Sequence, residues 1–323
     1  MSETRSQPMT AESQAPNGRG GPVCFVFLDG IGLAHAGKTN PFTQARMPPL
    51  QRLIGGPMVL ESAAERSGDE VLLLPLDACL GIEGLPQSAT GQTALFTGIN
   101  SAAHVGAHVP AYPTTSLRRV IAEHSMLKRA AEQGLCATFA NAYSDTYWER
   151  VPQRRLRHSA STLATMAAGL PFRTLGDLRR GHAVYWDITH EVMHKMLDQD
   201  IEPVTPRQAG RRLAQLTAAH DLVLFESFLT DLAGHRRLPW PSEDVLETVD
   251  GFLAGLLDAL PQGATLVLSS DHGNLEDSTT RSHTRNPVPL LAVGPGAQEF
   301  RSARSITDVT PRLLRWLGVA HDH

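Results

Sequence analysis

Cysteine is scarce: Cys24, Cys79 and Cys136 are the three in 323 residues, each alone within an apolar stretch. With no C-x-x-C and no paired spacing, the chain offers neither a disulfide framework nor a thiolate metal site. An excess of either charge is also lacking. Against 33 Asp and Glu stand 29 Lys and Arg, a formal net charge of -4, so there is no basic field to hold nucleic acid or an anionic membrane. No run of residues is apolar for long enough to span a bilayer. The stretch Met1–Gly21 is polar, rich in Ser, Gln, Pro and Gly, and has no apolar signal-peptide core. These absences predict a cytoplasmic protein with a disordered tail over residues 1–21 and neither nucleic acid nor membrane as partner.

What is present is a hydrophobic content of 41%, enough to fill a sizeable core. Val23–Leu28 is a continuous apolar run ending at Asp29-Gly30, as expected of a strand buried on both faces. Similar runs occupy Val71–Leu76, Leu135–Ala140, Asp221–Glu226, Thr265–Ser269 and Val288–Val293. Between them, Ser116–Gln133, Pro206–Ala219, Ser242–Leu260 and Asp308–Leu317 repeat an apolar face at helical spacing, with Pro, Ser or Asp near several starts. The alternation predicts an α/β fold, a three-layer sandwich around a mostly parallel central sheet, with ligands gathering beyond the carboxyl ends of the strands. Residues 144–203 break the rhythm with the basic run Arg154-Arg155-Leu156-Arg157-His158, a helix-like Ser161–Ala168 and an aromatic, strand-like His182–Ile188. This segment is expected to be a small insertion or cap, dividing the core into residues 22–143 and 204–323.

Three strand ends carry acids and histidines: Asp29-Gly30, Asp231-Leu232-Ala233-Gly234-His235, and Asp271-His272-Gly273-Asn274; His283-Thr284-Arg285-Asn286-Pro287 follows just before the last buried run. Taken singly, each has an ordinary reading as a helix cap, a turn or a surface histidine. Taken together, they aim five or six oxygen and imidazole ligands at one edge of one sheet. A mixed carboxylate and histidine set suits Mn²⁺ or Zn²⁺, and the ligands outnumber what one tetrahedral centre needs, so two divalent ions are expected. The hydroxyl-rich turn Gln87-Ser88-Ala89-Thr90-Gly91-Gln92 leads into an apolar helix. A hydroxyl at a helix start sits where backbone N–H groups favour an alkoxide and an incoming phosphate. Read alone, the same segment is more readily a Ser/Thr capping turn.

In this order the motifs resemble the alkaline phosphatase superfamily, and most closely its branch of cofactor-independent phosphoglycerate mutase and phosphopentomutase. Phe27-Leu28-Asp29-Gly30 is similar to that family's opening strand and metal-binding aspartate, Asp231-Leu232-Ala233-Gly234-His235 to its D-x-x-G-H, Asp271-His272-Gly273-Asn274 to D-H-G-N, and His283-Thr284-Arg285-Asn286-Pro287-Val288-Pro289 to H-T-x-N-P-V-P. The resemblance covers about Pro22–Gly98 and Asp221–Val319. It implies one ion held by Asp231, His235 and His283, and a second held by Asp29, Asp271, His272 and the nucleophile. In the mutases the attacking Ser or Thr stands three residues before a Gly; here that picks Ser88 before Gly91, with Thr90 a second candidate. Gln92 stands where the family usually has His.

The implied chemistry is transfer of a phosphoryl group from a small phosphorylated substrate through a phosphoserine. The resembling mutases carry large inserted domains, whereas residues 144–203 are short, which shifts the expectation towards a phosphatase, with a phosphomutase as the alternative and a non-catalytic metal-binding relative as a third reading. Arg154, Arg155, Arg157 and His158 are candidates for recognising the substrate's anionic groups, although a run of arginines is also an ordinary solvated face.

Overall fold

The computed structural model describes residues 19–65, 69–153, 157–196 and 201–320. Its strands are β1 (Val23–Leu28), β2 (Val71–Leu76), β3 (Ala137–Phe139), β4 (Ala142–Tyr143), β5 (Arg173–Thr174), β6 (Leu222–Ser227), β7 (Thr265–Ser269) and β8 (Val288–Val293). Six form one sheet in the order β2-β8-β7-β1-β6-β3, and β4 pairs with β5 alone. Pairs β1–β6, β1–β7 and β3–β6 are parallel, while β8 runs antiparallel to β7 and β2. The expected mostly parallel sheet is therefore the observed one.

Alternation along β1 explains its unbroken apolar run. Cys24, Val26 and Leu28 enter one hydrophobic cluster, while Val23, Phe25 and Phe27 enter the other, on the opposite face. Helices Pro206–Ala218 and Ser242–Ala259 cover the first face. Helices Ser88–Thr97, Thr115–His124, Met126–Glu132 and Val309–Trp316 cover the second. The Phe96 ring packs edge-on to Phe27 at 5.3 Å, which seats the helix that begins at Ser88 on the central strand.

Local chemistry sets the helix ends. Thr205 and Gln208 close a capping box with Pro206 at the first helical position. The helix expected over Ser116–Gln133 is two helices, because Ser125 takes an extended backbone and its hydroxyl accepts from the Lys128 N–H, capping the second. The expected strand His182–Ile188 reduces to a single bridge between Val184 and Asn141; from Trp186 the chain turns, with positive φ at Ile188 and His190.

The described residues of the 144–203 segment pack into the fold. Ala160 and Ala164, on helix Ala160–Ala167, lie in the same core cluster as Phe25 and Phe96. Beyond three-residue β3, the chain at Asn141 and β4 pairs with this segment through the Val184 bridge and β5. Of the expected tail, residues 1–18 lie outside the described residues, but Gly20 donates its N–H to Trp316 O, and the Trp316 indole donates to Gly21 O. No helix among the described residues is long and apolar enough to cross a membrane.

Candidate metal centre

The site is built where β1, β6 and β7 end. Parallel neighbours present their carboxyl ends at the same edge, so Asp29 after β1, the helix Leu229–Gly234 after β6, and Asp271-His272 after β7 converge without further design. Gly30 makes the turn beyond Asp29 with φ +72°, and a Cβ there would stand 2.8 Å from Asp231 Oδ1, so the close approach of the first two loops requires glycine.

Two groups of side chains bring their ligand atoms within 4.8 Å of one another: Asp29, Asp271 and His272, and Asp231, His272 and His283. His272 Nε2 lies 3.3 Å from Asp29 Oδ1, 3.6 Å from Asp271 Oδ2 and 3.1 Å from Ser88 Oγ. Its ring stacks on that of His283 at 3.7 Å, and so joins the two groups. His235 Nε2 is 3.3 Å from Asp231 Oδ1, and its ring centre is 5.2 Å from that of His283, so it flanks the second group without entering the tightest set. All seven residues expected around the ions thus meet in one place, with the difference that His272 is shared.

Surrounding bonds fix these side chains. His235 Nδ1 contacts Arg281 O at 2.7 Å and His283 Nδ1 contacts Pro86 O at 2.8 Å, leaving each Nε2 towards Asp231. Asn274 Nδ2 donates to Asp231 Oδ1 at 2.8 Å. Buried Glu276 accepts from the N–H groups of Gly32 and Asn274, from Asn286 Nδ2 and from the Thr284 hydroxyl, welding three of the site's loops together. Gln92, one helical turn after Ser88, donates from Nε2 to both Asp29 Oδ2 and Asp271 Oδ2, at 3.2 Å each. Glu226, in register with Phe27 on the neighbouring strand, is buried with Oε2 unpartnered.

Electrostatics favour a cation. Burial, with Asp271 and Asp231 nearby, holds the Asp29 carboxyl well above its ordinary range. Burial and Asp231 push Asp271 up to about 7, burial and Asp271 push Glu226 up to about 8, and burial and His283 push His272 down to about 3. Carboxylates that resist ionising beside an imidazole that resists protonation make a pocket with too little positive charge. Asp29 Oδ1 is buried with no hydrogen-bond partner. Carboxylate and imidazole donors around that atom fit a divalent ion.

Ser88 opens the helix Ser88–Thr97, ahead of which Gln87 makes no side-chain cap bond. Thr90 is fully buried, donates its hydroxyl to Gln87 O and accepts from the Val109 N–H, so its oxygen is committed to the loop. Of the basic run, Arg154 and Arg155 lie outside the described residues. Arg157 is exposed, and His158 Nδ1 bonds Tyr147 OH at 3.0 Å with its ring against Trp148; neither has a hydrogen bond or ion pair to the seven ligand candidates among the described residues.

Sequence reasoning passed over Glu226, Asn274 and Glu276 as functional groups. A carboxylate near the end of the apolar run of β6 was the available signal for Glu226; the roles of the other two depend on loops that meet only in the fold.

Comparison with known proteins points to metalloenzymes with an alkaline phosphatase-like fold. Residues 190–321 match the family described as Metalloenzyme superfamily. A 2,3-bisphosphoglycerate-independent phosphoglycerate mutase of Desulforudis audaxviator is 36% identical over 135 residues, 39% of this chain and 26% of that protein. The corresponding mutase of Vibrio parahaemolyticus is 27% identical over 136 residues, 39% of this chain and 27% of that protein. A phosphopentomutase of Methylobacterium radiotolerans is 28% identical over 261 residues, 75% of this chain and 60% of that protein. The chain therefore spans about a quarter of the length of the phosphoglycerate mutases it matches. Among solved structures, the PH0037 protein of Pyrococcus horikoshii superposes with a TM-score of 0.58 at 15% identity, over 94% of this chain and 99% of that one. The alkaline phosphatase of the Antarctic bacterium TAB5 superposes with a TM-score of 0.53 at 14% identity, with the same coverage, and so shares the fold. The resemblance read from the motifs holds: residues 190–321 match the Metalloenzyme superfamily model, phosphoglycerate mutases and a phosphopentomutase are similar in sequence, and the fold is that of the alkaline phosphatases.

Proposed function

We propose that the protein is a two-metal phosphoryl-transfer enzyme that acts on a small phosphate monoester through a phosphoserine at Ser88, chiefly as a phosphatase. The observation that carries this reading is the position of Ser88 Oγ, at a helix N-terminus and 3.1 Å from the one imidazole shared by both ligand groups. Asp29, Asp271 and His272 would hold one ion, and Asp231, His235 and His283 the other, with Mn²⁺ or Zn²⁺ the metals that suit these donors. When bound, the ions supply positive charge against the phosphate oxygens and the attacking oxygen.

The chain's own groups do the rest. Ser88 Oγ forms a bond to phosphorus as the bond to the leaving alcohol breaks, and the first-turn N–H groups of its helix face the incoming negative charge. Water then attacks the phosphoserine, releasing phosphate and restoring the hydroxyl. A mutase would instead return the phosphoryl group to a second hydroxyl of a retained substrate.

The mutase reading is supported by the phosphopentomutase likeness, which extends over most of the chain. Favouring hydrolysis instead is the shortness of residues 144–203, whose described part contributes a helix to the core. Mn²⁺-loaded protein incubated with 3-phosphoglycerate, ribose 1-phosphate and an aryl phosphate, followed by phosphorus NMR, separates the two. Free phosphate is expected; rapid isomerisation with little free phosphate would overturn the phosphatase reading.

A further inference from the structure

We infer that Gln92 is the positioning residue that sets how tightly the Asp29, Asp271 and His272 group holds its ion, by clamping the two carboxylates through one amide nitrogen. The inference rests on the two-ion reading above and adds to it a residue that is not itself a ligand.

Gln92 follows Ser88 by four residues, so both side chains leave the same face of the helix Ser88–Thr97. Its Nε2 lies 3.2 Å from Asp29 Oδ2 and 3.2 Å from Asp271 Oδ2, one N–H for each. That leaves Asp29 Oδ1, buried and without a partner, 3.3 Å from His272 Nε2. The other oxygen of Asp271 is engaged from its far side by the Gly30 N–H at 3.4 Å. Each carboxylate is therefore pinned by its Oδ2 and turned about a fixed axis. Two buried carboxylates repel once ionised, as they are when an ion is bound; a shared neutral donor holds them in place without adding charge. Unlike an imidazole in the same place, the amide nitrogen that faces the two carboxylates has no free lone pair with which to bind a metal, so through this atom Gln92 positions ligands and does not compete with them.

The test is Gln92→Met, close in size and without donors. Ion binding is measured by chelator competition with Mn²⁺ and Zn²⁺, and by the visible spectrum of the Co²⁺-loaded protein. Loss of an outer hydrogen-bond partner of a ligand costs about 10–100-fold in metal affinity, and that loss is expected in an Asp231→Asn background, where only the Asp29 group remains. In an Asp29→Asn background the same substitution should change affinity by less than about twofold, since the clamp has lost one jaw. Equal losses in both backgrounds would mark a merely structural role and overturn the inference. Should Gln92→Met not fold, ¹⁵N-glutamine labelling of the wild type gives the answer directly: the Gln92 amide protons should exchange slowly and shift as the Asp29 group fills. A solvent-exchanging, unmoved amide overturns it equally. Wild-type protein that takes up no ion would refute the two-ion reading itself, whereas two ions bound with unchanged affinity by Gln92→Met would refute only the role of Gln92.

Discussion

Replacing Gly91 by Ala asks how much the site depends on the seating of one helix. In most helices the change gains about 0.5–1 kcal/mol, since glycine gives up more backbone freedom than alanine. Here the added Cβ would stand 2.6 Å from the Asp271 carbonyl oxygen and 2.9 Å from Asp271 Cβ, short of the 3.4 Å at which ordinary contact begins. The obstacle is backbone at the end of β7 and a side chain already pinned by Gln92, so neither can swing aside. The helix must withdraw by several tenths of an ångström. Overpacking of this kind costs about 1–3 kcal/mol, which exceeds the helical gain over most of that range and leaves the ion-free protein destabilised by up to about 2.5 kcal/mol. Ser88 and Gln92 ride on the same helix, and a misplacement of about 1 Å at a reacting group lowers turnover by about 10²-fold. Urea denaturation of the ion-free protein and hydrolysis of an aryl phosphate by the Mn²⁺-loaded protein read the two effects. Gly37→Ala, where the new carbon meets no atom within 4 Å, is the control. A Gly91→Ala protein as stable as the wild type, with activity within about twofold, would refute the claim that helix and strand end are in contact at their limit.

Ser88→Ala should lower turnover by at least about 10³-fold with the fold retained, and trapped phosphopeptide should carry its label on Ser88. Thr90→Ala should act chiefly on stability, by about 1–3 kcal/mol, because its hydroxyl bonds Gln87 O and the Val109 N–H; label on Thr90 would reverse the assignment. Elemental analysis should find two divalent ions per chain, reduced to one or none by Asp231→Ala, and wild-type protein still metal-free after incubation with Mn²⁺ and Zn²⁺ would refute the site. Stability without ions should depend on pH in a stated direction. Folded Asp271 and Glu226 keep protons up to about 7 and about 8, whereas the ordinary values are 3.8 and 4.5. Between these limits the unfolded chain binds fewer protons at Asp271 and Glu226, so their contribution to stability is greatest below the ordinary values, falls as pH rises, and levels off once both have ionised; His272, held down to about 3 against an ordinary 6.5, offsets part of the fall below about 6.5. Thermal unfolding between about pH 5 and pH 9 checks the sign, and a melting temperature that rose with pH in ion-free protein would contradict it.

Periodicity and motif order carried far in this chain. Thr265–Ser269 and Val288–Val293 are strands at their expected limits, because runs buried on both faces are unambiguous when glycine, proline or polar turns bound them. Asp29, Asp231 and Asp271 could be placed at one edge from the sequence, since parallel strands leave their carboxyl ends together whatever their order in the sheet. Sequence could not break the helix at Ser125, where a capping hydroxyl competes with an otherwise continuous apolar face. Nor could it tell that residues 144–203 supply core at Ala160 and Ala164, because a helix face does not name its partner. Nor could sequence show that the loop at Val109 engages the Thr90 hydroxyl, a contact that supports the proposal of Ser88 as the nucleophile.

Sequence alone determined which elements form and which acids and imidazoles they deliver, because those follow from local spacing and strand direction. Only the tertiary structure decided that His272 joins both ligand groups, that Gln92 spans Asp29 and Asp271, and that Glu276 ties three loops together. Each is a contact at atomic range between segments distant in the chain, and distances of that kind are fixed by packing, which no local pattern encodes.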